Sequence, residues 1–183
     1  GARSEGMYQL GLCYLEIGQF SSAAELFQTF ADTYPEHDYA TVSRILTLEA
    51  LARLGDDAQM TAYVERLESR GHFGQLTEAL KDPAHADTCR HALVALMDAY
   101  AQAADLESYK RFLPFCDEDA LSDMGLNYAL LDGGDLAVEQ GRPLDALQLY
   151  RLMKTGPELI AICDRRLAVL KTELDIPLPW VPL

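Results

Sequence analysis

Apolar positions recur at helical spacing almost from the start of the chain. Met7, Leu10, Gly11 and Tyr14 fall at i, i+3, i+4 and i+7, and Gly18-Gln19 interrupts the pattern. A second run follows, with Ala23, Leu26, Phe27 and Phe30 at the same period, Ser21 or Ser22 available to cap its start, and Pro35 as its stop. The pattern predicts two amphipathic helices in an antiparallel hairpin. Small residues at Gly11 and Ala23 let the backbones approach, and Tyr14 and Phe27 fill the space around them.

The turn at Gly18 has counterparts at Gly55, Ala104 and Gly141, so the hairpin pattern recurs. A second unit is expected over 41–70, with Leu48, Leu51, Met60, Val64 and Leu67 in packing positions and Asp56-Asp57 at the positive start of its second helix. A short extra helix near Phe73 to Leu80 and a break at Pro83 separate it from a third unit over 90–117, whose second helix Pro114 ends early. In a fourth unit, 127–156, Gly134, Ala137, Gly141, Ala146 and Tyr150 stand where Gly11, Tyr14, Gly18, Ala23 and Phe27 stand in the first. Ala137 in place of an aromatic leaves room for a residue from elsewhere, Tyr128 being the candidate, and Asp132-Gly133-Gly134-Asp135 is read as a kink. A further amphipathic helix over 157–174 would cap the last apolar face, and 175–183, with its prolines and Trp180, would be an extended tail.

Met7, Leu10-Gly11, Tyr14, Ala23, Phe27 and Pro35 together resemble the tetratricopeptide repeat, in which a large residue, Leu-Gly, Tyr, Ala, Phe and a closing Pro recur about every 34 residues. The intervals between the turns here are longer, so the expected array is irregular. The resemblance implies an all-α, right-handed α-solenoid of antiparallel helical hairpins. About four units plus extra helices would make a single domain over 1–174, the first unit spanning 4–37. The ending FQTFADTYPEH is similar to a variant of the repeat found in bacterial cell-envelope assembly proteins, which leaves the envelope, or periplasm, and the cytoplasm both open.

Charge narrows the partners. Fifteen Lys and Arg against 29 Asp and Glu give a formal charge of −14, which repels nucleic-acid phosphates and anionic lipid, and no basic patch overrides it. No apolar run of about 18 residues is present, so no membrane insertion is expected. The start GARSEG has neither an apolar core nor an initiator Met, and the chain is read as a fragment of a longer protein. Cys13, Cys89, Cys116 and Cys163 are far apart and read as small buried hydrophobes.

The chemistry-bearing groups weigh against catalysis. His85, Cys89 and His91 come close in sequence, but the spacing lacks a convincing fourth ligand, so neither metal nor cofactor is expected. Asp117-Glu118-Asp119 reads as a solvated helix start, without the alternating ligands and central Gly of a calcium loop. There is no phosphate loop and no nucleophile motif, so the chain is expected not to be an enzyme.

What remains is surface. The family resemblance implies that the first helix of each hairpin lines a concave groove. Tyr8, Leu12 and Leu15 share a face apart from Met7, Leu10 and Tyr14, and the turn alignment carries that face to Val42, Ile45, Glu49 and Arg53, to His91, Val94 and Asp98, and to Tyr128, Leu131 and Asp135. Aromatic and aliphatic residues with interleaved carboxylates would suit a partner peptide or helix bearing apolar anchors and some positive charge. The expected function is a non-catalytic protein-protein interaction scaffold. The alternatives are self-association, small-ligand binding, an enzyme whose catalytic domain lies elsewhere, and a row that simply packs against the extra helix or the tail.

Overall fold

A computed structural model describes residues 1–153 and 156–175, and the described residues are helical throughout, with no strand among them. The expected extended tail with Trp180 lies, from residue 176 on, outside the described residues. The chain divides into two compact units, Gly1–Ala99 and the part from Tyr100 onward.

In the first unit, α1 (Ala2–Glu16), α2 (Phe20–Thr33), α3 (Ala40–Leu54), α4 (Asp57–Ser69) and α5 (Phe73–Ala79) lead through a 3-10 turn at Pro83–His85 into α6 (Ala86–Gln102), within which the unit boundary falls. In the second, α7 (Leu106–Lys110) and 3-10 turns at Leu113–Phe115 and Ala120–Ser122 precede α8 (Met124–Glu139), α9 (Pro143–Leu152) and α10 (Pro157–Glu173).

One local device makes the hairpins. Gly18, Gly55, Ala104 and Gly141, the positions aligned from sequence, all adopt positive φ, and so does Gly71 between α4 and α5. At each, the next backbone N–H reaches back five residues: Gln19 to Tyr14, Asp56 to Leu51, His72 to Leu67, Asp105 to Tyr100 and Arg142 to Ala137. This left-handed C-terminal motif satisfies carbonyls that the helix leaves open and reverses the chain. Asp56 and Asp105 then cap α4 and α7 by accepting from the N–H groups of Gln59 and Ser108. The start of α2 differs from expectation, because it begins at Phe20 with Gln19 before it, and Ser21 and Ser22 lie inside its first turn.

The core of the first unit centres on α3, against which α2, α4 and α5 all pack. Val42 to Leu51 are buried without a break. On α1 the buried seam is Ser4, Tyr8 and Gly11, not the expected row of Met7, Leu10, Gly11 and Tyr14, and Leu10 is 46% exposed. Tyr8 turns the helix this way by stacking on Tyr39, with centroids 4.4 Å apart, and by meeting Phe27 and Phe30. An aromatic cluster buries more area than Met7 and Leu10 would. Gly11 is the close-approach point: a Cβ there would stand 2.7 Å from the Phe27 ring.

In the second unit α8 runs as one unbroken helix through the Gly133-Gly134 pair. The pair is wedged between two rings, since added Cβ atoms would lie 2.3 Å from Tyr109 and 2.2 Å from Tyr150. Tyr109 donates its hydroxyl proton to the Ala129 carbonyl at 2.6 Å, which fixes one ring. Tyr128 does not fill space beside Ala137; it points outward and is 51% exposed. Asp123, rather than the Asp117 to Asp119 run, caps α8, and Asn127 ties that cap to the preceding 3-10 turn through the Leu121 carbonyl.

Candidate partner-binding groove

The residues carried forward as a groove separate into two environments. In the first unit Tyr8, Val42 and Ile45 are core, Ile45 with no exposed surface at all. These positions are corrected: α3 has neighbours on every side between Val42 and Leu51, so its expected inward row faces protein. Glu49 is buried too, and its carboxylate accepts from Arg53 Nε at 2.9 Å while that guanidinium lies over the Phe20 ring. Leu12 and Leu15 are half-buried, and on α6 His91 is exposed while Val94 and Asp98 are half-buried.

In the second unit Leu131 is buried at 8% exposure and drops out of the groove in the same way, but Tyr128 is open and Asp135 borders a cavity of about 400 Å³. Tyr150 and Leu170 form its buried floor. Val138 of α8 and Val169 of α10, both among the exposed large apolar residues, form its walls, and Glu139, Glu173 and Arg165 carry charge at its edge. The helical spacing of Asp135, Val138 and Glu139 puts them on one stripe of α8, as that of Arg165, Arg166 and Val169 does on α10.

Asp135 organises this site. Its two oxygens accept from Arg166 Nε and Nη2 at 2.5 and 2.7 Å, and the Tyr150 hydroxyl donates to Oδ1. The bidentate pair neutralises both charges and holds α10 against α8. Burial, with the Asp135 carboxylate beside it, pushes the Tyr150 phenol up, and Asp135 holds the Arg166 guanidinium above its ordinary value. Burial first, then the nearby Asp135 charge, raises the Asp132 carboxyl. Cys163 seals the α9 side by donating to the Tyr150 carbonyl.

Arg165, Arg166 and Val169 were missed from sequence because 157–174 was read only as a cap, and Val138 because only the row of Tyr128, Leu131 and Asp135 was carried forward on α8. The signal was present: the i, i+3, i+4 pattern on α10 carries an outward stripe as well as its buried one of Leu159, Cys163 and Leu170.

The other clusters do not converge on chemistry. His85 Nδ1 pairs with Asp82 Oδ2 at 2.9 Å, Cys89 donates to the Ala79 carbonyl at 3.3 Å, and His91 is exposed. Among the described residues no three potential ligands gather around one point. Burial pushes the thiols of Cys89 and Cys163 up to about 11 and that of Cys116 up to about 12, which makes them poor nucleophiles near neutral pH. No helix among the described residues is long and apolar enough to cross a membrane.

Comparisons with protein-family models, with curated proteins and with solved structures each returned no match.

Proposed function

We propose that the chain is a non-catalytic protein-protein interaction scaffold of the tetratricopeptide type, its hairpins stacked as a right-handed solenoid, which holds a partner's peptide or helix against α8 and α10. The observation that carries this reading is the cavity walled by Val138 and Val169, beside the open Tyr128 face of α8. Apolar walls with a charged edge suit an amphipathic segment better than a fully polar one. With Asp135 and Arg166 spent on each other, the edge charges are Glu139, Glu173 and Arg165, a net negative rim. The preferred segment has apolar anchors and at least one basic residue. The repeated left-handed turn and the Gly-to-aromatic packing at Gly11 and Gly134 support the repeat assignment.

The test is affinity capture with the wild-type chain and a Val138→Glu, Val169→Glu variant in parallel. A protein held by the first and released by the second, with the melting temperature of the variant unchanged, supports the groove. Retention of the same proteins by both contradicts it.

A second reading, self-association, is favoured by the outer face of α1, where Leu10 and Ile17 are 46% and 66% exposed. Light scattering decides it: a mass that rises with concentration and falls in Leu10→Glu supports a second copy there. A monomer mass at every concentration removes this reading.

A further inference from the structure

A buried charge in the first unit has no counter-ion. Arg44 of α3 is 3% exposed, its Nε has no hydrogen-bond partner, and it forms no ion pair with any described residue. An isolated buried guanidinium is costly unless something compensates its charge. Next to it stands Tyr63 of α4, 4% exposed, whose hydroxyl also lacks a partner. Thr47 adjoins that hydroxyl, but its own proton goes to the Ser43 carbonyl at 2.8 Å. Arg66 lies over the Tyr63 ring, 5.6 Å from its centroid, and its buried Nε is likewise unpartnered.

The surrounding charges do not close the gap. Asp32 of α2 is paired to Arg70 at 2.9 Å and lies 4.0 Å from Arg66, whose Nη2 donates to Gln28. Two guanidinium groups, those of Arg66 and Arg70, thus share one carboxylate and Arg44 has none, in a chain with nearly twice as many acidic as basic residues. Burial raises the Tyr63 phenol, with Arg44 and Arg66 pulling the other way, so the hydroxyl stays protonated and available as a donor. Among the described residues the buried side-chain atoms without a partner are the Nε atoms of Arg44 and Arg66, the Tyr63 hydroxyl and, on α5, the Gln75 amide oxygen; the three on α3 and α4 are donors, which complement an anion.

We propose that this corner of α2, α3 and α4 binds a small oxyanion, a phosphate or carboxylate group, through the Arg44 guanidinium, the Tyr63 hydroxyl and Arg66. The burial of Arg44 and Tyr63 limits the ligand at this point to a group of that size. The site is separate from the α8 and α10 groove and stands whether or not that groove binds a partner.

Thermal melts test it at pH 7.5 in chloride, phosphate and acetate at matched ionic strength. Anion is kept at or below about 10 mM so that general exclusion from the protein surface does not contribute. Phosphate at roughly ten times its dissociation constant is expected to raise the wild-type Tm by about 3 to 6 °C over chloride. An equal rise in acetate assigns the site to carboxylates generally, and a rise in phosphate alone assigns it to phosphate. Arg44→Met is expected to lose the anion effect while melting in chloride at or above the wild type, because an apolar isostere removes an unpaired buried charge. Exposed Arg3→Met keeps the full effect. Tyr63→Phe, which removes only the hydroxyl, is expected to weaken it, and it carries the test if Arg44→Met does not fold. Identical wild-type melts in all three salts, or a rise of equal size in Arg44→Met or in Tyr63→Phe, overturns the proposal.

Discussion

Helices α3 and α8 open equivalent hairpins and carry equivalent rows, Val42, Ile45 and Glu49 on one, Tyr128, Leu131 and Asp135 on the other. Their surroundings differ. Val42 is 4% exposed where Tyr128 is 51% exposed, and Glu49 is tucked in where Asp135 borders a cavity. Helix α3 is packed by α2, α4 and the extra helix α5. On α8 the flanking contacts are tight, but the stripe through Asp135 and Val138 faces the α10 cavity rather than a filled core. Positions aligned by their turns therefore need not share an environment; the elements packed around each helix decide whether a side chain is core or surface.

Substitutions sharpen the contrast. Ile45→Glu puts a carboxylate where no solvent reaches and is expected to cost at least about 4 kcal/mol, enough to unfold much of a typical domain. Val138→Glu is expected to change stability by under about 0.5 kcal/mol, since that position is open. Chemical denaturation of the two side by side checks this, and equal costs would erase the distinction. Next come the glycine contacts. Gly134→Ala is expected to cost about 3 kcal/mol, because the Tyr150 ring is fixed by its bond to Asp135, whereas Gly11→Ala, with a wider 2.7 Å approach to Phe27, is expected to cost about 1 to 2 kcal/mol. Urea midpoints ordered the other way would show that α8 is the more yielding helix.

Smaller effects follow. Ala104, at φ 55°, is the one aligned turn position that is not glycine, so Ala104→Gly is expected to stabilise by about 0.5 to 1 kcal/mol. A decrease in Tm would mean that this turn is set by something other than its dihedral. The smallest effect is at Asp132. Its carboxyl is raised in the folded state, so folding holds its proton more tightly than the unfolded chain does, and its contribution to stability improves as pH falls through the carboxylate range and worsens as pH rises above it. Asp132→Asn is accordingly expected to raise the melting temperature slightly near pH 7, by an amount that shrinks toward acidic pH. A gain independent of pH would contradict this.

Much of the local structure was legible because it depends on local chemistry. The turns at Gly18, Gly55 and Gly141, the breaks at Pro35, Pro83 and Pro114, and the helices between them follow from dihedral freedom, the missing proline N–H and a 3.6-residue period. Rotation of the helices was harder to read. On α1, Met7, Leu10 and Tyr14 make one apolar stripe and Tyr8, Leu12 and Leu15 another, and ring contacts with Phe27, Phe30 and Tyr39, later in the chain, select Tyr8 for the core. On α3 the apolar residues surround the helix, so no pattern could say which row was inward. Arg44 could not have been singled out at all, because a lone arginine in a helix is ordinarily a solvated residue.

The most direct measurement is the rate at which a thiol reagent modifies single introduced cysteines on the α3 row and on the walls of the cavity between α8 and α10, in a Cys13→Ser background that removes the exposed native thiol. Val138→Cys and Val169→Cys should react close to the rate of an unstructured thiol, and Val42→Cys and Ile45→Cys should be protected by roughly the factor that unfolding imposes, 10³ or more. Comparable rates at Ile45→Cys and Val138→Cys would contradict the account, placing the α3 row and the cavity wall in the same environment.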